Sequence, residues 1–350
     1  MKSVSSVLYA LTGATMLFAG TGFASAEDKV TMAAWGGGGA VTIKRAYAAP
    51  FTEATGIPFE LVEVPDPTAA ISAAQGQPPY NVAVAASFQA VALANRGLVH
   101  ELTPEDIPEI NNIPREYWVT NDEGKIIGMP VYFLYLGIAY NTDLAEESDF
   151  QSWHDLVDSK WKDQVSMTRP VFAAPYDLTM FAKINGGDEK NIEPGVPMLR
   201  SLAENTLNVY TSMANFQSQL SRGEVAAAPY YSSQIMIMKR QGVENVDMII
   251  PEEGGLALSY LYVIPKGAKD VESAKKFLNS VAKVQSQLLA AEDGYLPLNP
   301  QAELTPELAA EFGFTLEELM ERTYAPDWNV IGSAIEERVS LVEEIIDSAQ

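Results

Sequence analysis

The chain has 350 residues, 47% of them hydrophobic, with 23 basic against 46 acidic side chains, a net charge of −23 and no cysteine. So acidic a balance argues against nucleic acid and anionic membrane surfaces as partners, because both need a basic footprint. The missing thiol excludes disulfides, thiol catalysis and lipid attachment at a cysteine, while the length allows two domains.

Residues 1–26 carry a single charge, Lys2, then an apolar run over 7–19, then Ala24, Ser25 and Ala26. That order of charged, apolar and small-residue regions reads as a secretory signal peptide, against the alternative of a buried N-terminal helix. The run is too short, and too broken by Gly13, to span a bilayer. Cleavage after Ala26 leaves 22 basic and 46 acidic residues. A soluble protein exported to the periplasm fits this pattern best. The excess acid reads as solubility or salt adaptation, with attraction of cationic ligands as the alternative.

In the exported part, a strand is predicted over 29–34, followed by a sharp loop at 36–39, a helix over 41–55 ended by Gly56, and a strand over 58–64. A helix over 66–75, ended by Gly76, a strand over 82–85 and a helix over 88–95 follow. This βαβαβ run implies a mostly parallel sheet with helices on both faces. A second unit begins near Gly137. Ser152 and Asp155 have the spacing of a capping box. Strands are predicted over 164–167, 207–210, 226–229 and 246–250, with helices over 176–184, 197–203, 215–221 and 235–240. Residues 258–264 suit a strand crossing between units. One helix is predicted over 271–290. In the acidic tail over 304–350, Leu341, Ile345 and Ile346 share one stripe, facing the core or a partner helix.

Catalytic signatures are scarce. The chain has two histidines, His100 and His154, far apart and in ordinary strand-end and helix-start contexts. It has no G-x-S-x-G elbow, H-E-x-x-H pair or P-loop. Carboxylate pairs are too common in so acidic a chain to signal a glycosidase or lyase. The loop at 36–39 lies between a strand and a helix, where open α/β sheets bind ligands and where backbone N–H groups form anion nests. It fails the dinucleotide pattern, because Val41 or Thr42 stands where the third glycine belongs. Gly37 and Gly38 are therefore ligand-binding candidates, with a plain tight turn as the alternative, and Trp35 is either a cleft wall or core.

A series of short motifs then resembles one family. Residues 51–57 (FTEATGI), 79–82 (PYNV), 96–99 (RGLV), 129–132 (MPVY), 137–141 (GIAYN) and 152–153 (SW) carry it in the first part. Residues 251–255 (PEEGG), 264–268 (IPKGA) and 294–299 (GYLPLN) carry it later. In order and spacing they resemble the solute-binding proteins of ABC importers, in the branch that includes the spermidine/putrescine and ferric-iron binders. The resemblance implies an α/β, two-lobed periplasmic-binding-protein fold of type II. Each lobe would be a mixed, mostly parallel sheet flanked by helices, with the ligand cleft between lobes. After a signal peptide at 1–26, it implies one lobe from 27–136 plus 260–318 and another from 137–259 plus 319–350. It implies binding without catalysis, a small-molecule ligand, delivery to an ABC transporter permease in the inner membrane, and a monomer. No cofactor and no metal are expected.

Set against the polyamine branch, the ligand contacts look altered. Ser87 remains at the end of the third strand, as a ligand donor or a helix cap. Arg169 replaces acidic residues in its region, and its planar fork suits a carboxylate, phosphonate or sulfonate; the alternative is a surface ion pair. Tyr230 keeps an aromatic while Ser233 takes an acidic place, and Tyr260 stands where a Trp and Asp are expected. Adjacent Tyr230 and Tyr231 also keep a ferric-iron reading open, since phenolates are hard donors. The expected ligand is thus a small organic solute bearing an anionic group, with a rearranged polyamine cage as the alternative.

Overall fold

The computed structural model describes residues 28–121 and 123–349, so the expected leader lies outside the described residues. Eleven strands join in one sheet. They are β1 (Val30–Ala34), β2 (Phe59–Glu63), β3 (Val82–Ala86), β4 (Met129–Asn141), β5 (Val165–Thr168), β6 (Thr206–Tyr210), β7 (Ala227–Tyr231), β8 (Val246–Ile249), β9 (Gly255–Val263), β10 (Leu296–Pro297) and β11 (Thr323–Tyr324). The sheet runs β2-β1-β3-β9-β4-β7-β5-β6, with β10 and β8 on β4 and β11 on β9.

The expected βαβαβ run is present. β1 pairs in parallel with β2 and β3. The helix Pro67–Ala73 starts where Asp66 accepts from the Thr68 and Ala69 N–H groups at 2.9 and 3.0 Å, as an N-cap should. The expected helix over 41–55 begins earlier, at Gly38, and widens to π geometry over Ile43–Ala48 before returning to α over Ala49–Thr55. A second parallel set, β6-β5-β7, forms the other half.

Between these parallel sets the sheet is antiparallel, so the sheet as a whole is mixed. β4 is the reason. All thirteen of its residues are buried, and a strand covered on both faces loses the alternation by which strands are read. It pairs with β9 from Met129↔Tyr262 to Leu136↔Leu256, then with β7 from Leu136↔Tyr231 onward. Gly137 marks the hand-over: a Cβ there would lie 2.5 Å from the Ile249 carbonyl oxygen. β4 and β9 therefore tie the two halves together.

The helix expected over 271–290 is two helices, Val271–Val281 and Val284–Ala291, broken where Lys283 takes an extended conformation. The tail touches both halves. The helix Trp328–Ser333 packs on the helix Ser87–Asn95, where a Cβ on Gly332 would come within 2.5 Å of the Val91 Cβ. The helix Ile335–Ala349 packs on Val196–Asn205 and Pro170–Ala173. Val342, Ile345 and Ile346 are buried, so this helix turns its apolar stripe inward. Among the described residues, no helix is long and apolar enough to cross a membrane.

Candidate functional site

A cavity of about 560 Å³ opens between the two halves, within the size range of small-molecule sites. It lies beyond the carboxyl ends of four strands. β1 delivers Trp35 and the 36–39 loop, β5 delivers Thr168 and Arg169, β6 delivers Tyr210, Thr211 and Ser212, and β7 delivers Tyr231, Ser233 and Gln234. This is where the α/β pattern places ligands. The faces of β4 and β9 add Tyr132, Leu134, Tyr260 and Tyr262, and Tyr295 completes that wall.

The sequence-predicted residues divide. Trp35, Gly37, Gly38, Arg169, Tyr231, Ser233 and Tyr260 all line the cavity. Ser87 does not. It opens the helix Ser87–Asn95, and its Oγ donates to the Ser259 carbonyl oxygen at 2.8 Å and meets Ser259 Oγ at 2.7 Å, so it neither faces the cavity nor caps the helix. Gln89 supplies the cap instead, accepting from the Ala86 N–H at 3.2 Å. Tyr230 is also outside the lining. Successive strand residues point to opposite faces, so Tyr231 reaches the cavity while Tyr230 packs on Phe216, with ring centroids 4.4 Å apart. The adjacent tyrosines therefore do not converge on one point.

The wall is aromatic. Trp35 meets Tyr260 edge to face with centroids 6.1 Å apart, Tyr260 stacks on Tyr132 at 5.2 Å, and Tyr132 meets Tyr295 at 4.7 Å. Tyr132 and Tyr260 are register partners across β4 and β9. Burial pushes the hydroxyls of Tyr47, Tyr132, Tyr231 and Tyr262 well up and that of Tyr260 to about 12, so they stay neutral phenols.

The charge inventory is short. Among the described residues lining the cavity, Arg169 alone carries a formal charge. Its guanidinium lies 5.0 Å over the Phe172 ring, and no described carboxylate pairs with it. Three helical runs also begin at the cavity: the run from Gly38, the helix Met213–Ser221 capped by Ser212, and the helix Ser232–Arg240. Their positive ends favour an anion.

The halves approach each other around the cavity. A Cβ on Gly38 would stand 3.4 Å from Ile237 Cδ1, and one on Gly294 would stand 3.2 Å from Ser233 Cα. Arg240 holds Glu311 through bonds of 2.6 and 2.7 Å.

Sequence reasoning missed Tyr132, Tyr262 and Tyr295. Tyr260 and Tyr262 are two apart on one strand and so share a face; that period was a usable signal for Tyr262. Tyr132 and Tyr295 sit inside motifs already noted, but no spacing shows that they meet.

Comparison with known proteins follows the same line. A family described as "Bacterial extracellular solute-binding protein" matches residues 46–315. The chain is 23% identical over 231 residues to the spermidine/putrescine-binding periplasmic protein 1 of Haemophilus influenzae, covering 64% of this chain and 62% of that protein. It is 23% identical over 225 residues to a putative 2-aminoethylphosphonate-binding periplasmic protein of Salmonella typhimurium, covering 63% and 65%. The chain thus matches a little under two thirds of the length of these relatives. In structure it resembles an ABC transporter substrate-binding protein from Bradyrhizobium japonicum, with a TM-score of 0.76 and 21% identity over 90% of this chain and 99% of that one.

Proposed function

The chain belongs to the bacterial extracellular solute-binding protein family, and from that premise we propose that it is the periplasmic capture component of an ABC importer. It takes one small organic solute bearing an anionic group and hands it to a permease in the inner membrane. Residues 1–26 direct export. Residues 27–136 with 260–318, and 137–259 with 319–350, act as the two jaws of a monomer. The ligand touches both and thereby favours the shut state, a hinge closure without chemistry.

The carrying observation is that Arg169 is the only formally charged side chain among the described residues lining the cavity. In a chain of net charge −23, a cavity with no lining carboxylate is poorly built for a diammonium chain, whose ends need carboxylates or open aromatic faces to replace water. Three helix starts add to the pull on an anion. The relative named for 2-aminoethylphosphonate supports the same reading, because that compound carries a phosphonate.

A thermal-shift screen of the purified protein tests it. Carboxylates, phosphonates, sulfonates, amino acids, putrescine and spermidine are added in turn. At a hundredfold excess over Kd, a true ligand stabilises by about 2.7 kcal/mol. The expected result is a raised Tm with one class of anion. A rise with putrescine or spermidine while every anion stays silent overturns the proposal.

A further inference from the structure

The single charged contact fixes one end of the ligand, and the rings that keep accessible surface describe the other. Resting on the reading just given, we propose that the solute is an aromatic monoacid, with its acid group on Arg169 and its ring against Trp35 and Tyr260.

The two ends are built on different halves. Thr168 and Tyr210 are register partners in the parallel pair β5 and β6, so Arg169 and Thr211 follow side by side where the strands end. Both are exposed and line the cavity. Ser212 caps the helix Met213–Ser221 by accepting from the Asn215 N–H at 3.2 Å. That leaves other N–H groups of the first turn to share an acid group with the Arg169 fork. The half built on β1 and β9 brings no formal charge to the cavity. Trp35 and Tyr260 are half-buried there, line the cavity and meet edge to face. Tyr132 already stacks on Tyr260 at 5.2 Å, whereas Trp35 meets no ring but Tyr260 among the described residues. An edge-to-face contact covers at most one face of an indole, so Trp35 keeps a face for a guest.

The energetics select a ring. One charged pair is a weak hold by itself, because closure strips water from both partners and ordering the ligand costs free energy besides. The remainder has to come from apolar area. A flexible alkyl chain loses rotamer freedom when it is held. A ring brings comparable area without that loss, and gains the offset or edge contacts that aromatic pairs prefer. Phe172 and Met213, half-buried, line the cavity from the Arg169 half and extend the apolar surface, the thioether being a good neighbour for an aromatic ring. An aryl ammonium fails at the charged end, where no lining carboxylate receives it. The cavity of about 560 Å³ has room for one ring or a fused pair with its acid arm.

Calorimetry on the full exported chain tests it. Benzoate, phenylacetate and indole-3-acetate are the aromatic carboxylates, with phenylphosphonate and benzenesulfonate as other acid heads. Cyclohexanecarboxylate is a ring without π electrons, hexanoate a flexible chain, gluconate a hydroxylated anion, and phenethylamine and putrescine are cations. The expected result is that one aromatic acid binds about tenfold tighter than cyclohexanecarboxylate, hexanoate and gluconate. Trp35→Leu should cost that acid about tenfold and hexanoate less than about threefold, and Trp35→Phe should recover most of the loss. Tyr260→Leu is a second variant of the same wall, and the ranking of ligands on the unmodified chain stands even where a variant does not fold. Any non-aromatic anion binding as tightly as every aromatic acid overturns this inference but leaves the anion-capture reading standing. An aromatic preference undiminished in both Trp35→Leu and Tyr260→Leu overturns the placement of the ring. Silence of every aromatic acid overturns the inference outright, and putrescine binding with all anions silent overturns both readings.

Discussion

Ser87 is tied to Ser259 by two buried hydrogen bonds, one to its carbonyl oxygen at 2.8 Å and one between the two hydroxyls at 2.7 Å. These bonds fasten the helix Ser87–Asn95 to β9, one of the two strands shared by both halves of the sheet. Ser87 is therefore an anchor of the frame and not a ligand contact. Ser87→Ala leaves Ser259 Oγ buried without its partner and should cost about 1–3 kcal/mol of stability. Urea unfolding measures that loss, and calorimetry with the cognate ligand should show unchanged affinity.

Tyr230 and Tyr231 are neighbours in sequence with opposite surroundings. Tyr230 is fully buried and packs on Phe216, outside the cavity lining, so Tyr230→Phe should leave ligand binding unchanged. Tyr231 lines the cavity. Tyr231→Phe should weaken ligand binding by about 1 kcal/mol, with Tyr230→Phe as the silent control in the same titration.

Those two tyrosines also show where the sequence was readable. The strand there was expected to stop at Pro229, two residues early; carried to Tyr231, the strand period alone separates the pair. Most elements around the cavity were legible because each has a local signal, such as Gly56, which ends its helix in a left-handed conformation. β4 was not, because a strand buried on both faces has no alternation. The break at Lys283 was not, because no glycine or proline marks it. Arg169 stood out by its chemistry, at the end of a recognisable strand. The tyrosine wall is different in kind: Tyr132, Tyr260 and Tyr295 meet only because β9 and β10 both pair with β4, a long-range relation that no local pattern contains.

Arg169 is exposed toward the cavity and holds no ion pair with a described carboxylate. Its loss should therefore spare the fold and cost binding. Arg169→Ala is expected to weaken an anionic ligand by about 2–5 kcal/mol if the pair is desolvated on closure, with the ligand-free Tm unchanged. Arg169→Lys keeps the charge but loses the fork, and should recover only part of the affinity. Calorimetry beside a thermal melt separates the two effects. Unchanged affinity in Arg169→Ala removes this residue from the site.

Asp177 is fully buried, neither carboxylate oxygen has a partner, and desolvation pushes its pKa well above the ordinary 3.8. In the folded chain it keeps a proton that the unfolded chain gives up near pH 3.8. Stability tied to this group is thus fully present below that pH and falls as the pH rises toward the raised value, where charge is forced into the interior. Asp177→Asn removes the slope. Its stability relative to the parent should be near zero at pH 3.5 and favourable by about 1–3 kcal/mol at pH 7, read from urea unfolding at both values.

Gly38 and Ile237 test whether the halves must close. Gly38 opens the first helical run and Ile237 sits on the helix after β7, and a Cβ on Gly38 would stand 3.4 Å from Ile237 Cδ1. That distance is ordinary contact, so Gly38→Ala fits. A branched side chain does not, and Gly38→Val should hold the halves apart. Because Gly38 is exposed and its backbone is not in the left-handed region, the strain falls on closure and not on the fold. The ligand-free stability should stay within roughly ±0.5 kcal/mol, as for a surface change, while affinity falls. Ile237→Ala in the Gly38→Val background clears the collision and should restore binding. Small-angle scattering with saturating ligand should show the parent and the double variant compact and Gly38→Val extended. Equal affinity in all three would mean that the solute is held without closure at this edge.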